Sequence, residues 1–330
     1  METNEKLIKL FKKLKEIQDF FNTNYNVNDI YSNSKIYEFL IANRFHHVAI
    51  PGHSGSRDAW DDDHNEIEYK HYKETSSNHT WTFNDYSDST IEKLYNTPYC
   101  YFVYIDDKNY AFPGQVKWYY KVEGKVIANY LKEATKRITN KRKMINVSKC
   151  QLNNLGCSMI ELEDFDYKNG IFGPQLTTII ETVQEMEQLT STKGLLTSNK
   201  IWELFVAMNL DHTINSEQGG RKGSYDASDN EGNTYEYKVS KGYSWNFQDI
   251  SNNVLTKYLD DKAMILATVD KTNMKLSSVY YALSENVVPV LREKLQNKMN
   301  NYKTKNKEIK RLQVSLNKKD LIKIKAKKII

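Results

Sequence analysis

The feature that most constrains this chain is an internal duplication. Five blocks within residues 34–106 recur in the same order within residues 199–270, and the last residues of the paired blocks are separated by 164 to 168 positions. In chain order, the matching pairs are SKIYEFLIANRF (34–45) with NKIWELFVAMNL (199–210), PGHSGSRDA (51–59) with GGRKGSYDA (219–227), EIEYKHYK (66–73) with TYEYKVSK (234–241), WTFNDYS (81–87) with WNFQDIS (245–251), and YFVYID (101–106) with MILATVD (264–270). A period this long indicates a duplicated domain rather than a solenoid. We therefore expect one domain in residues 1–165 and a second in residues 166–330.

The composition permits two folded domains and excludes several other classes of protein. An aromatic content of 12% argues against disorder. No apolar run approaches the roughly 18 residues of a membrane-spanning helix, and the N-terminus lacks the apolar segment of a signal peptide. Cys100, Cys150 and Cys157 have no CxxC spacing and are interpreted as free thiols in a reducing compartment. These features predict a cytoplasmic protein of bacterial, phage or viral origin with no membrane partner. The net charge of +5 permits nucleic-acid binding without establishing it.

Apolar periodicity predicts the same elements in both halves. The residues that indicate an opening amphipathic helix are Leu7, Leu10, Phe11, Leu14 and Ile17 in the first half, and Leu176, Ile179, Ile180 and Val183 in the second. A second helix, a glycine-containing loop, a strand pair, a buried strand and a long basic helix (about 124–143 and 284–304) follow. The fold class is therefore α/β (α+β), with a mixed central sheet flanked by helices in each half.

One spacing of charged residues is intact in both repeats. Asp58 lies ten residues before Glu68, and Asp226 lies ten residues before Glu236. A lysine follows each glutamate two positions later, Lys70 in the first repeat and Lys238 in the second. Alternate side chains of a strand share a face, so each Glu and Lys point the same way. A hairpin of this length places the aspartate beside them.

Such a cluster suits hydrolysis of a phosphodiester bond. Mg²⁺ is typically held by one or two carboxylates together with water and phosphate oxygens. It stabilises the charge that develops on phosphate and lowers the pKa of a bound water. The nearby lysine can orient the attacking water, or deprotonate it if the surroundings tune the lysine pKa.

These residues resemble the PD-(D/E)xK nuclease superfamily, which includes most type II restriction endonucleases. The resemblance is carried by Asp58 with Glu68-Tyr69-Lys70 and by Asp226 with Glu236-Tyr237-Lys238. Many members also carry a glutamate on the helix before the motif, and Glu38 and Glu203 occupy that place here. The resemblance implies restriction-endonuclease-like domains in which the aspartate and the ExK glutamate hold Mg²⁺, the lysine assists the water and the helix glutamate supports the metal site. Arg57 and Tyr225 stand where the superfamily name places proline.

Other residues are candidates for contacting DNA. We expect phosphate contacts from Arg57, Arg221 and Lys222 in the glycine-rich loops, and from Lys73 and Lys241 beyond each catalytic lysine. The WTFND and WNFQD blocks admit two interpretations. They either begin a helix, with aromatics in the core and Asp85 and Asp249 as caps, or use Asn84, Asn246 and Gln248 to read adenine edges. The histidines at 53, 64, 71 and 79 suggest a metal site, but the second copy lacks all four, which favours surface histidines.

The sequence therefore predicts a Mg²⁺-dependent DNA endonuclease, with Mn²⁺ expected to substitute. Tandem duplication would let a monomer act as a pseudo-two-fold single-chain dimer on double-stranded DNA, one strand per repeat. A specific restriction enzyme would have a companion DNA methyltransferase. Three alternatives stay open: another nuclease of the superfamily (nicking, junction-resolving or nonspecific), a nuclease in which one half cuts while the other only reads DNA, and a duplicated DNA-binding or structural protein without catalysis.

Overall fold

The first half of the chain alternates short helices and strands. The structure, a computed structural model, describes residues 2–32, 35–52, 57–136, 138, 143–196, 199–215, 225–304 and 312–330. In chain order, the elements of the first half are α1 (Glu2–Tyr25), α2 (Lys35–Phe45), β1 (Val48–Ala49), β2 (Ala59–Trp60), β3 (Glu66–Lys73), β4 (Trp81–Tyr86), α3 (Asp88–Tyr95), β5 (Tyr99–Asp106), β6 (Gln115–Glu123), α4 (Gly124–Ala134), β7 (Lys143–Val147), α5 (Lys149–Asn154) and β8 (Met159–Glu161), with a 3-10 turn at Tyr167–Asn169.

The second half repeats that order of elements. Its elements are α6 (Gly173–Thr190), α7 (Lys200–Asn209), β9 (Thr213–Ile214), β10 (Ala227–Ser228), β11 (Thr234–Ser240), β12 (Ser244–Gln248), α8 (Asn252–Lys257), a 3-10 turn (Tyr258–Asp260), β13 (Ala263–Asp270), β14 (Lys275–Leu283), α9 (Ser284–Thr304), β15 (Gln313–Asn317), α10 (Asp320–Lys323) and β16 (Lys327–Lys328). The predicted duplication and the α+β class are thus present as two similar halves.

Each half contains a six-stranded mixed sheet of the same topology. The strand orders are β1-β2-β3-β5-β6-β8 and β9-β10-β11-β13-β14-β16. In both sheets the strand of the ExK motif pairs in parallel with the buried strand, so that Glu68 lies opposite Cys100 and Glu236 opposite Met264. A separate antiparallel ribbon, β4 with β7 or β12 with β15, accompanies each sheet. The parallel pair forms because α3 or α8 carries the chain back along the sheet.

Contacts divide the chain into two compact units. One unit is Phe20–Glu181, and the other joins Met1–Asp19 to Thr182–Ile330. The division falls within helices α1 and α6, whereas the sequence repeat places the boundary between residues 165 and 166. The part of α1 up to Asp19 belongs to the unit of Thr182–Ile330 because residues of its predicted apolar stripe pack there. Phe11 packs edge-on against Phe205, with ring centroids 5.0 Å apart.

The WTFND and WNFQD blocks are strands, so the first of the two interpretations is wrong about the helix start, although it places the aromatics in the core correctly. Alternate side chains of each strand face the core, so Trp81 and Phe83 are buried in one half and Trp245 and Phe247 in the other. Each Trp indole N–H donates to a carbonyl of the neighbouring buried strand, at 2.9 Å in both halves. The caps of α3 and α8 are serines rather than the aspartates proposed from sequence. They are Ser87, which accepts from Thr90 N, and Ser251, which accepts from Val254 N.

The two predicted basic helices differ in length. The second, α9, spans Ser284–Thr304 as expected, but α4 ends at Ala134 rather than near residue 143. Thr135 is the C-cap of α4, where its hydroxyl donates to the Leu131 carbonyl at 2.8 Å, and Lys143 belongs to β7. Among the described helices, none combines the length and apolar character needed to cross a membrane.

Candidate active site in each half

A hairpin holds the aspartate beside the ExK strand. In the first half Ala59 pairs with Ile67, and the Asp58 carboxylate accepts from the Tyr69 backbone N–H at 2.7 Å. The second half is built alike: the Asp226 carboxylate accepts from the Tyr237 backbone N–H at 2.8 Å. The hairpin predicted from the ten-residue interval is therefore confirmed.

An aspartate organises the turn of each hairpin, which accounts for the fixed interval. One side-chain oxygen of Asp61 accepts from the backbone N–H groups of Asp63 and Asn65, at 3.1 and 2.8 Å. Asp229 makes the equivalent bonds in the second half, each 2.9 Å long. Side chains that bond the backbone two residues on stabilise tight turns. The acidic run after Asp58 (Asp61–Asp63) thus forms the turn of the hairpin.

The glutamate and lysine of each ExK motif form a shielded ion pair. Glu68 is only 4% exposed, and Lys70 Nζ pairs with its carboxylate and also donates to the Tyr69 carbonyl at 3.2 Å. The Tyr86 hydroxyl donates to the same carboxylate oxygen at 3.2 Å. The Lys70 ammonium lies 5.2 Å from the centre of the Phe83 ring, a cation–π contact.

The second half reproduces this pair with a different tyrosine. Lys238 pairs with Glu236, donates to the Tyr237 carbonyl at 3.1 Å, and lies 5.4 Å from the Phe247 ring. The hydroxyl bonded to Glu236 comes from Tyr258, in the turn after α8. The two sites therefore have the same arrangement of contacts, except that the tyrosine hydroxyl comes from a different segment in each half.

The helix glutamate approaches each cluster together with a lysine of its own. Glu38 pairs with Lys35 one turn earlier on α2, and Lys35 is only 8% exposed. In the second half Lys200 lies 3.8 Å from Glu203 on α7. These lysines occupy matching places in the repeat and were not singled out from the sequence. Their repetition at an offset of 165 was the signal that could have identified them.

Burial and neighbouring carboxylates perturb the glutamates. Burial, with Asp58 nearby, raises the pKa of Glu38 to about 8. Burial also raises the pKa of Glu68 to about 7, against the opposing effect of Lys70. In the second half burial raises the pKa of Glu203 and Glu236 to about 7 each. Carboxylates that share a site with one another suit a bound cation, since the cation removes the cost of ionising them together.

Ion pairing with the glutamate raises the pKa of the lysine in each motif and favours its protonated form. Burial lowers the pKa of Lys70, but Glu68, with Tyr86 and Asp58, raises it by more, so that it stands well above its usual value. Burial and Glu236 act in the same opposed way on Lys238, whose pKa is also raised. Of the two roles considered for the lysine, the ammonium therefore suits orienting water and phosphate rather than removing a proton.

The donor set of each site fits a hard divalent cation. Asp58 with Glu68, and Asp226 with Glu236, offer two carboxylates per site, and Mg²⁺ in proteins is typically held by one or two. Within the described ranges, no group of three His, Cys, Asp or Glu side chains stands ready as a metal cage. A pair of carboxylates leaves coordination positions for water and phosphate oxygens.

The predicted DNA-contact residues that the structure describes lie on several different strands and loops. Arg221 and Lys222 lie outside the described residues. Arg57 is exposed and pairs with Glu66, whereas Lys73 is partly buried and bonds Asp107 at 3.2 Å. The remaining candidates are exposed: Asn84 on β4, Asn246 and Gln248 on β12, and Lys241 after β11. Asn246 already accepts from the Ser315 hydroxyl at 2.6 Å.

A histidine lies behind each ExK tyrosine, and the sequence analysis missed both. His47 Nδ1 and the Tyr69 hydroxyl are 2.7 Å apart, and His212 Nδ1 and the Tyr237 hydroxyl are also 2.7 Å apart. The expectation of surface histidines holds for His64 and His79, which are exposed. It is wrong for His71, which is partly buried against the Tyr37 ring, at 5.2 Å between centroids. His53 lies outside the described residues.

No protein-family model matches this chain, and no curated protein is significantly similar to it. The likeness to a nuclease superfamily therefore depends on the residues of the two sites and on their arrangement.

All three cysteines are free, Cys100 buried and Cys150 exposed.

Proposed function

We propose that the chain is a Mg²⁺-dependent endonuclease for double-stranded DNA, of the restriction type, with one active site in each repeat. The observation that carries this proposal is the repeated hairpin. In both halves an aspartate carboxylate is fixed by the backbone N–H of the residue between a glutamate and a lysine. The two copies differ widely in the surrounding residues, so a shared chemical task is the simplest reason for the common geometry.

In this proposal each side chain has one task. Asp58 and Glu68 hold the cation in the first site, and Glu38 supports it from α2. A bound Mg²⁺ would stabilise the charge developing on phosphate and lower the pKa of an attacking water. Lys70, protonated and anchored on the Tyr69 carbonyl, orients that water and the scissile phosphate. Asp226, Glu236, Glu203 and Lys238 perform the same tasks in the second site.

The restriction-endonuclease-like fold and the pseudo-two-fold arrangement belong to the same proposal. A mixed sheet with its motif on a hairpin in each half supports it. Duplication would give one chain the two sites that homodimeric enzymes obtain from two subunits. An intracellular location, Mn²⁺ as a substitute and a companion methyltransferase follow from it as predictions.

Plasmid cleavage by site variants tests this proposal. The wild-type chain should linearise supercoiled plasmid with Mg²⁺ at defined positions. Asp58→Ala and Asp226→Ala should each leave only nicked circles, and the double variant should leave plasmid intact. Glu92→Ala, which removes an exposed carboxylate on α3, is the matched control and should cut normally.

The outcomes separate the alternatives. Linearisation at the normal rate by Asp58→Ala would refute two independent sites. A smear in place of defined fragments would favour a nonspecific nuclease. DNA binding with no cleavage in Mg²⁺ or Mn²⁺ would favour a duplicated DNA-binding protein.

A further inference from the structure

Each candidate site contains a second lysine that the nuclease proposal does not use. Lys35 begins α2 and Lys200 begins α7, and their side chains are only 10% and 15% exposed. A lysine loses favourable hydration when it is buried, so it is rarely buried without a charged partner. The partner is the helix glutamate three residues later in both halves.

Lys35 also acts on the rest of the first cluster. Its ammonium interacts electrostatically with Asp58 and Glu68 in addition to Glu38. Among the described residues, three carboxylates (Glu38, Asp58 and Glu68) and two lysines (Lys35 and Lys70) interact in this cluster; with all three carboxylates ionised, the state that a bound cation favours, its formal charge is −1. Without Lys35 the charge would be −2. The lysine is thus one of two cations that set the charge seen by an incoming metal ion.

We propose that Lys35 and Lys200 are positioning residues that neutralise the helix glutamate and so match each site to a single divalent cation and a phosphodiester. With one divalent cation bound, the charge of the first cluster becomes +1, complementary to the single negative charge of a phosphodiester. This inference rests on the proposed function. It assigns the lysines no contact with the reacting atoms, because they act through the net charge of the cluster.

A double-substitution cycle on metal binding tests the inference without DNA. Mg²⁺ and Mn²⁺ affinities are measured by calorimetry on the full chain, in an Asp226→Ala background so that the first site alone is observed. Lys35→Met should bind metal roughly tenfold more tightly, since a repelling charge is lost, and Glu38→Gln roughly tenfold more weakly. The double variant should return to within about threefold of the parent affinity, because the two charge changes cancel.

Two controls test whether the variants remain folded and whether the second site behaves like the first. Lys35→Arg keeps the charge and should keep the parent affinity, and circular dichroism establishes that each variant is folded. The mirrored cycle, Lys200→Met with Glu203→Gln in an Asp58→Ala background, should show the same compensation. The gain in affinity for Lys200→Met should be smaller than that for Lys35→Met, because Lys200 lies farther from its glutamate, at 3.8 Å.

Failure of this inference is distinguishable from failure of the nuclease proposal. If the parent chain binds metal and cuts plasmid but Lys35→Met weakens metal binding, and the double variant binds more weakly than either single variant, the lysine has only a structural role. A chain that binds no divalent cation and cuts no DNA would overturn both proposals.

Discussion

The Tyr69–His47 contact allows a stability prediction with a matched internal control. Tyr69→Phe removes one hydroxyl from a buried pair whose atoms are 2.7 Å apart. Burial lowers the pKa of His47 to about 4 and raises that of Tyr69 well above its usual value. The imidazole is therefore neutral at pH 7, and in either tautomer Nδ1 and the hydroxyl are hydrogen-bond partners. The variant leaves that nitrogen without its partner in a site where His47 is only 6% exposed.

The expected loss follows from the desolvation of the unpaired nitrogen. A buried donor or acceptor that loses its partner costs about 1–3 kcal/mol, and we expect about 2 kcal/mol for Tyr69→Phe. In the second half His212 is more exposed than His47, so water can replace the missing hydroxyl. Tyr237→Phe should then cost about 1 kcal/mol or less.

Differential scanning calorimetry of the full chain provides the assay. For a domain of about 150–250 residues, each kcal/mol lowers Tm by roughly 2–4 °C. Tyr69→Phe should therefore lower the transition of its unit by about 4–8 °C, and Tyr237→Phe by about half as much or less. Equal losses in the two halves, or a larger loss for Tyr237→Phe, would refute the argument from burial.

Two other stability predictions concern the hairpin turn and acid. His64 and Gly232 occupy the same turn position with φ of 61° and 82°, and nothing lies within 4 Å of a Cβ added at Gly232. Gly232→Ala should lower the free energy of unfolding, measured in urea, by about 1 kcal/mol, because alanine is strained at a positive φ. His64→Gly should change that free energy by less than about 0.5 kcal/mol, because the relief of strain offsets the greater conformational entropy of glycine in the unfolded chain. A larger loss in His64→Gly would contradict this. Burial lowers the pKa of His47 and of His71 to about 4, so the unfolded chain takes up protons below about pH 6.5 that the folded chain excludes. These histidines therefore destabilise the fold as pH drops from about 6.5 towards 4, while the four glutamates with raised pKa values act in the opposite direction, so the prediction concerns the difference between two chains. Relative to the wild-type chain, His71→Phe should gain stability over this pH range in urea titrations; a difference that does not change with pH would show that His71 does not contribute.

The strand-versus-helix error in the WTFND block shows where local reasoning was insufficient. Alternation of Trp81, Phe83 and their counterparts was visible in the sequence, but a strand also needs a partner. For β4 that partner is β7, more than 55 residues later, where Trp81 pairs with Val147. A pairing over such a distance depends on how the sheet folds between the two strands, and no local pattern encodes it. Lys143, which the sequence placed at the end of α4, likewise belongs to β7, where it pairs with Tyr86 of β4.

The duplication, and the aspartate beside the ExK strand, were determined by the sequence alone. Their geometry is local: ten residues close one hairpin through a turn that Asp61 or Asp229 organises with its own side chain. The tertiary structure decided what surrounds that hairpin. It brings Lys35 and Glu38 from α2 and the Tyr86 hydroxyl from the end of β4 to the same cluster. Burial of these groups sets their pKa values, and burial depends on packing between segments that are distant in the chain.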